Sequence, residues 1–117
     1  VLDWLMQRVA ACLKAGFEHD QVALDPGFGF GKTLAHNLAI FQNLGAFVDT
    51  GHPVLVGVSR KTMIGELTGQ PVEQRAVGSA VAAALAVQSG VQVVRVHDVE
   101  ATRDALAVWQ GISQGMQ

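Results

Sequence analysis

The chain has 117 residues, of which 50% are hydrophobic, 15% charged and 6% aromatic. Average soluble domains carry about 25% charged residues, so a core-rich folded chain is expected and intrinsic disorder is excluded. A net charge of −2 and a pI near 6.0 argue against a nucleic-acid-binding domain, and no basic run appears.

The single cysteine, Cys12, cannot close an internal disulfide, which excludes a secreted disulfide scaffold and predicts a reducing, cytoplasmic setting. The longest apolar run, 80–87, falls far short of the ~20 residues a bilayer requires, so no membrane segment is expected. The sequence opens on Val1 rather than Met, which predicts a processed N-terminus or a piece of something longer.

Leu2, Leu5, Met6, Val9 and Leu13 share one helical stripe, so residues 1–16 read as an amphipathic helix that Gly16 ends. Cys12 lies at the edge of that stripe, where packing is expected rather than reactivity. Residues 22–25 form a short buried-strand run that opens into the glycine-rich segment 26–31. A helix is expected over 34–47, with Leu34, Leu38, Phe41 and Leu44 in register. After His52, residues 53–58 read as a second buried strand that Ser59, Arg60 and Lys61 end. Residues 62–73, punctuated by Gly65, Gly69 and Pro71, read as a loop with room for one helical turn. A small-residue helix over 73–89 stops at Gly90, and a third strand over 91–96 leads to His97 and Asp98. The last helix covers 100–111, with Asp98 as its expected N-cap. His19, His36 and His52 are expected at the surface.

One helix followed by three βα units with continuously apolar strands predicts an α/β fold, a parallel sheet covered on both faces. No internal repeat or low-complexity linker divides it, so residues 1–117 are expected to form one domain.

The unusual polar residues stand at the C-terminal ends of the expected strands: Asp25, then Ser59, Arg60 and Lys61, then Arg95, His97 and Asp98. In parallel α/β folds ligands bind along that edge. Arg95 and His97 are two apart, so on an extended strand they face the same side. Asp25, Lys61, Arg95 and His97 around one mouth would suit an anionic ligand, with helix N-terminal N–H groups adding attraction. Ion pairing of Asp25 with Lys61, and of Arg95 with a carboxylate elsewhere, is the structural alternative, and both stay open. Arg60 is expected to point behind the strand into an outer ion pair, and Lys32 toward solvent.

Two phosphate-loop readings of the glycine-rich segment fail on spacing. The P-loop pattern requires glycine where Pro26 stands, and the dinucleotide fingerprint does not fit glycines at 27, 29 and 31. Phe28 and Phe30 remain, either against a flat ligand or packed under the loop. No Cys, His and carboxylate set has metal-ligand spacing, so any metal would be held mainly by a phosphate.

The segments Leu24-Asp25-Pro26-Gly27-Phe28-Gly29-Phe30-Gly31-Lys32, Gly57-Val58-Ser59-Arg60-Lys61 and Arg95-Val96-His97-Asp98 resemble three signatures of the dihydropteroate synthase family, in order and separation. The resemblance covers nearly the whole chain. It implies the C-terminal portion of a (β/α)8 TIM barrel: the helix before strand six, then units six, seven and eight. It also implies a transferase of folate biosynthesis, condensing 4-aminobenzoate with 6-hydroxymethyl-7,8-dihydropterin diphosphate to give 7,8-dihydropteroate and pyrophosphate.

By this resemblance Lys61, Arg95 and His97 carry the catalytic roles. Asp25 hydrogen-bonds the pterin ring, Lys61 contacts it near Asp25, and Arg95 lies across its face. Arg95 and His97 bind the diphosphate end. Phe30, Ser59 and the Lys61 stem shape the aminobenzoate pocket, and Gly57 joins the substrate-binding set. Also implied are Mg²⁺, held mainly through the diphosphate and residues outside this chain, sulfonamides as inhibitors, and a homodimer for the full-length enzyme. The family's N-terminal metal and pterin ligands are not in this sequence, so the chain alone is expected to be inactive. No general base for the aniline nitrogen is obvious. Two further readings stay open: a pterin or phosphate binder of the same barrel type, akin to folate-dependent methyltransferases, and a non-catalytic segment that folds only with a partner.

Overall fold

The computed structural model describes residues 1–29 and 31–115. Helix α1 (Leu2–Lys14) buries Val9 and rests Leu2, Leu5 and Met6 on the core, while Leu13 at the far end of the same stripe stays exposed. Gly16, with φ of 108°, turns the chain out of the helix while its N–H is taken by the Leu13 carbonyl.

A single 3-10 turn (His19–Gln21) leads to Leu24, which forms an isolated parallel bridge with Val54. Strands β1 (Leu55–Val56) and β2 (Val93–Val94) run parallel, with Leu55 opposite Val93 and Val56 opposite Val94. The three strand-like runs therefore lie side by side in chain order, but they pair over fewer residues than 22–25, 53–58 and 91–96 would allow. Pro53 has no N–H to donate, and the Gln92 side chain rather than a backbone carbonyl accepts the Val54 N–H at 3.0 Å. Ladder bonds still continue past the strand ends: Arg95 N–H donates to the Val56 carbonyl at 2.9 Å.

The expected helix over 34–47 is two helices, α2 (Leu34–Gln42) and α3 (Leu44–Val48), parted at Asn43. The Asn43 amide donates to the Ala39 carbonyl at 2.7 Å, one of the side-chain-to-backbone bonds by which Asn competes with regular helix. Residues 62–73, expected as loop, contain helix α4 (Thr62–Thr68), which buries Met63 and Ile64 and ends on Gly69 at φ 74°. The glycine that suggested a loop is its C-cap. Helix α5 (Ala76–Gln88) packs along α6 (Val99–Gln114), and Gly78 brings α5 close to α4, since a Cβ there would lie 2.8 Å from Ile64 Cγ2.

Leu24, Val54, Val56, Val58 and Val91 from the strand runs and their flanks meet Leu44, Phe47, Met63, Ile64 and Ala86 from the helices. His52, expected at the surface, is instead fully buried. Its Nδ1 lies 3.2 Å from the Val22 carbonyl and its ring stacks on exposed His19 at 3.8 Å between centroids. A neighbouring carbonyl and a flat partner let imidazole serve as core material. Among the described residues no helix is long and apolar enough to cross a membrane.

Candidate functional site

The loops after the three strand runs open on one edge of the sheet. There Gly57, Ser59, Lys61, Arg95, Val96 and His97 line a cleft of about 120 Å³. The two-residue spacing of Arg95 and His97 does place both in one cleft. Asp25 is exposed just outside this lining, near enough for its charge to act on Lys61. Phe30 lies outside the described residues.

Gly57 has a steric reason to be glycine. A Cβ there would lie 2.6 Å from Arg95 Nη2 and 2.9 Å from its Cζ, so bare backbone gives the guanidinium its seat across the end of β1. Lys61 is half-buried and donates from Nζ to the Phe28 carbonyl at 2.6 Å. Burial lowers its pKa from the ordinary lysine value, and repulsion by Arg95 and Lys32 adds to this against the opposing pull of Asp25. Ser59 is 7% exposed, and its Oγ accepts the His97 backbone N–H at 3.1 Å and lies 2.9 Å from His97 Nδ1.

Residues 27–29 of the glycine-rich loop are each held by a side chain. Gly27 N–H donates to Asp25 Oδ1 at 2.9 Å, Lys32 Nζ to the Gly27 carbonyl at 2.8 Å, and Gly29 N–H to Asn37 Oδ1 at 3.1 Å. The peptide between Phe28 and Gly29 is thus gripped on both sides, by Lys61 at its carbonyl and by Asn37 at its N–H. Lys32 turns back onto the loop rather than outward as expected. Phe28 is buried beneath, its ring tilted against Phe41 with centroids 5.6 Å apart; of the two readings for this ring, packing is the one realised.

Arg60 does point away from the cleft. Its Nε and Nη2 donate to Asp98 Oδ2 and Oδ1 at 3.1 and 2.7 Å. This fork holds the Asp98 carboxyl below its usual range and raises the arginine. The Arg60 backbone sits at φ 56°, a left-handed conformation uncommon outside glycine. It is fixed there because Ser79 Oγ accepts its N–H at 2.9 Å and Arg75 Nη1 donates to its carbonyl at 3.0 Å. Asp98 occupies the expected N-cap position of α6, but its side chain is spent on Arg60. Its backbone carbonyl instead accepts the N–H and hydroxyl of Thr102, at 3.0 and 2.9 Å.

Asn37, Ser79 and Arg75 were not apparent as supporting residues in the sequence. Asn37 carried a usable signal: it stands among Leu34, Leu38 and Phe41, and a polar residue on an apolar stripe asks for a buried partner. Among the described residues no three His, Cys, Asp or Glu side chains converge to hold a metal. A larger cavity of about 610 Å³ lies between α2, α4 and α5, lined by residues such as Phe41, Met63 and Val81 and by no charged group.

A family profile described as "Pterin binding enzyme" matches residues 1–97. A dihydropteroate synthase of Haemophilus influenzae is 51% identical over 110 residues, a stretch covering 94% of this chain and 40% of that protein. The solved structure of dihydropteroate synthase from Xanthomonas albilineans in complex with 7,8-dihydropteroate superposes with a TM-score of 0.93 at 46% identity, covering 98% of this chain and 44% of that one. The Yersinia pestis enzyme with a sulfonamide drug gives 0.91 at 38% identity, covering 97% and 42%. The chain therefore spans about two fifths of the length of these relatives, and its helix-rich α/β architecture is that of the C-terminal portion of their TIM barrel. With its cationic cleft on the strand ends, its fold and most of its sequence in agreement, the chain belongs to the family of pterin-binding enzymes.

Proposed function

We propose that this chain supplies the C-terminal part of a dihydropteroate synthase, which joins 4-aminobenzoate to 6-hydroxymethyl-7,8-dihydropterin diphosphate and releases 7,8-dihydropteroate and pyrophosphate. The observation that carries this reading is the meeting of Lys61, Arg95 and His97, from two different βα loops, in one cleft over Gly57 and Ser59. In the reaction the amine nitrogen attacks the methylene carbon and the carbon–oxygen bond to the diphosphate breaks. The bonding pair leaves with pyrophosphate, and the nitrogen loses its proton to water. The leaving group is already good, so the protein's work is alignment and absorption of developing negative charge.

Arg95 and His97 take the diphosphate, and Lys61 with Asp25 takes the pterin. Phe30, Ser59 and the Lys61 stem border the aminobenzoate. The Xanthomonas relative's complex with 7,8-dihydropteroate and the Yersinia relative's with a sulfonamide support these classes of ligand, and sulfonamides are the expected competitors of 4-aminobenzoate. The described residues offer no cluster fit to hold Mg²⁺. Magnesium in the complete enzyme would be held mainly through the substrate diphosphate and residues outside this chain, where it would offset charge on the leaving group, and no step is derived through it. The same reading takes the full-length enzyme as a cytoplasmic homodimer in folate biosynthesis.

Isothermal titration of this chain with dihydropterin diphosphate tests the reading. Binding is expected, and Gly57→Ala, which unseats Arg95, should weaken it about tenfold. No turnover is expected from the chain alone; steady turnover of both substrates would overturn the assignment of essential ligands to other segments. In a complete barrel, binding of the pterin substrate without any binding of 4-aminobenzoate after pyrophosphate would favour a pterin-binding relative such as a methyltransferase.

A further inference from the structure

We infer that Ser59 is a positioning residue that sets the tautomer of His97, so that the neutral ring keeps its proton on Nε2 and offers it to the anion in the cleft. The argument is an accounting of one hydroxyl. Ser59 Oγ already accepts the His97 backbone N–H at 3.1 Å, and the second group within reach is His97 Nδ1 at 2.9 Å. A serine hydroxyl has a single proton to donate. Ser59 is 7% exposed, and among the described residues the one acceptor its proton meets is Nδ1. A proton on Nδ1 would force Oγ to accept twice and leave its own hydrogen buried without a partner, which is costly. The ring therefore accepts at Nδ1 and carries its hydrogen at Nε2.

The two contacts also fix direction. One serine holds both the backbone and the ring of His97, so the main chain and the imidazole move as a unit. His97 itself is exposed and lines the cleft, which leaves Nε2 as the ring atom able to reach a ligand. Ser59 thus acts through His97 rather than by spending its hydroxyl on substrate. The value of Nε2–H to a diphosphate oxygen rests on the function proposed above; the tautomer does not.

Long-range proton–nitrogen NMR of this chain, at a pH where the imidazoles are neutral, reads the tautomer of each histidine directly. Exposed His36 is the internal reference. His97 is expected to be more completely Nε2–H than His36. Ser59→Ala should return it to the His36 ratio, and Ser59→Thr, which keeps the hydroxyl, should restore the bias. Equal ratios for His97 and His36 in the unmutated chain, or a dominant Nδ1–H form, would overturn the inference, and so would a bias unchanged in Ser59→Ala. Inorganic pyrophosphate then separates the two proposals. Its affinity should fall about fivefold in Ser59→Ala, the worth of one hydrogen bond of roughly 1 kcal/mol. A tautomer shift without any pyrophosphate binding would sink the proposed function and leave the role of Ser59 standing.

Discussion

Lys61 sits where burial and two neighbouring cations work against its charge, opposed by Asp25 and by the carbonyl of Phe28 that accepts from Nζ. Partial burial removes water from the ammonium, and Arg95 and Lys32 repel it. Its titration is therefore expected below the ordinary lysine value of 10.5, and Arg95→Gln should move it upward by removing the strongest repulsion. The folded state sheds this proton before the unfolded chain does. From this group alone, stability accordingly rises as pH climbs from the lowered value toward 10.5. NMR titration of the lysine ε-carbons checks both statements, and a Lys61 midpoint at or above the ordinary value contradicts them. The sequence marked Lys61, Arg95 and His97 because charged residues ending apolar strands have few structural uses. It could not show that Gly57 yields space to Arg95, because that contact joins residues 38 apart through the register of β1 with β2.

At the scale of elements, the Arg60–Asp98 fork ties the turn between β1 and α4 to the start of α6. Because the fork lowers the Asp98 pKa, its contribution is present above the ordinary carboxylate range and is lost as pH falls through the depressed value. Asp98→Asn removes that dependence. The unmutated chain should lose more melting temperature than the variant between neutral pH and about pH 3, as followed by circular dichroism. Parallel acid limbs for the two would show the fork to be idle. An outer ion pair for Arg60 was foreseeable from its place behind the cleft. The helix α4 was not, because Gly65, Gly69 and Pro71 signal a break locally, while burial of Met63 and Ile64 in the core, with α4 packed on α2 and α5, decides for helix.

The molecule as a whole is a slab, 43 × 40 × 21 Å, with a radius of gyration of 15.2 Å. A compact globule of this length would have a radius of about 13 Å. The excess fits a section of barrel wall, whose sheet is not closed on itself. On the outer face Val77, Val81 and Leu85 are 77%, 52% and 50% exposed, one helical turn apart along α5. Apolar surface of this extent is expected to bind an environment-sensitive dye such as ANS, and the paired substitution Val81→Glu, Leu85→Lys should reduce the fluorescence severalfold. Equal dye binding by both chains would place the accessible apolar surface elsewhere.

What the sequence determined by itself was the order of the three strand runs and the helices α1, α5 and α6 around them, the edge of the sheet that carries the polar residues, and the family those residues mark. These are encoded in hydrophobic periods and in short segments, which one can read without knowing what lies opposite. The tertiary structure alone decided the burial of His52, the fold of α4, the peptide gripped between Lys61 and Asn37, and the hold of Ser59 on His97. Each of these depends on a partner distant in the chain, and a buried polar group is placed by the partner that satisfies it rather than by its neighbours in sequence.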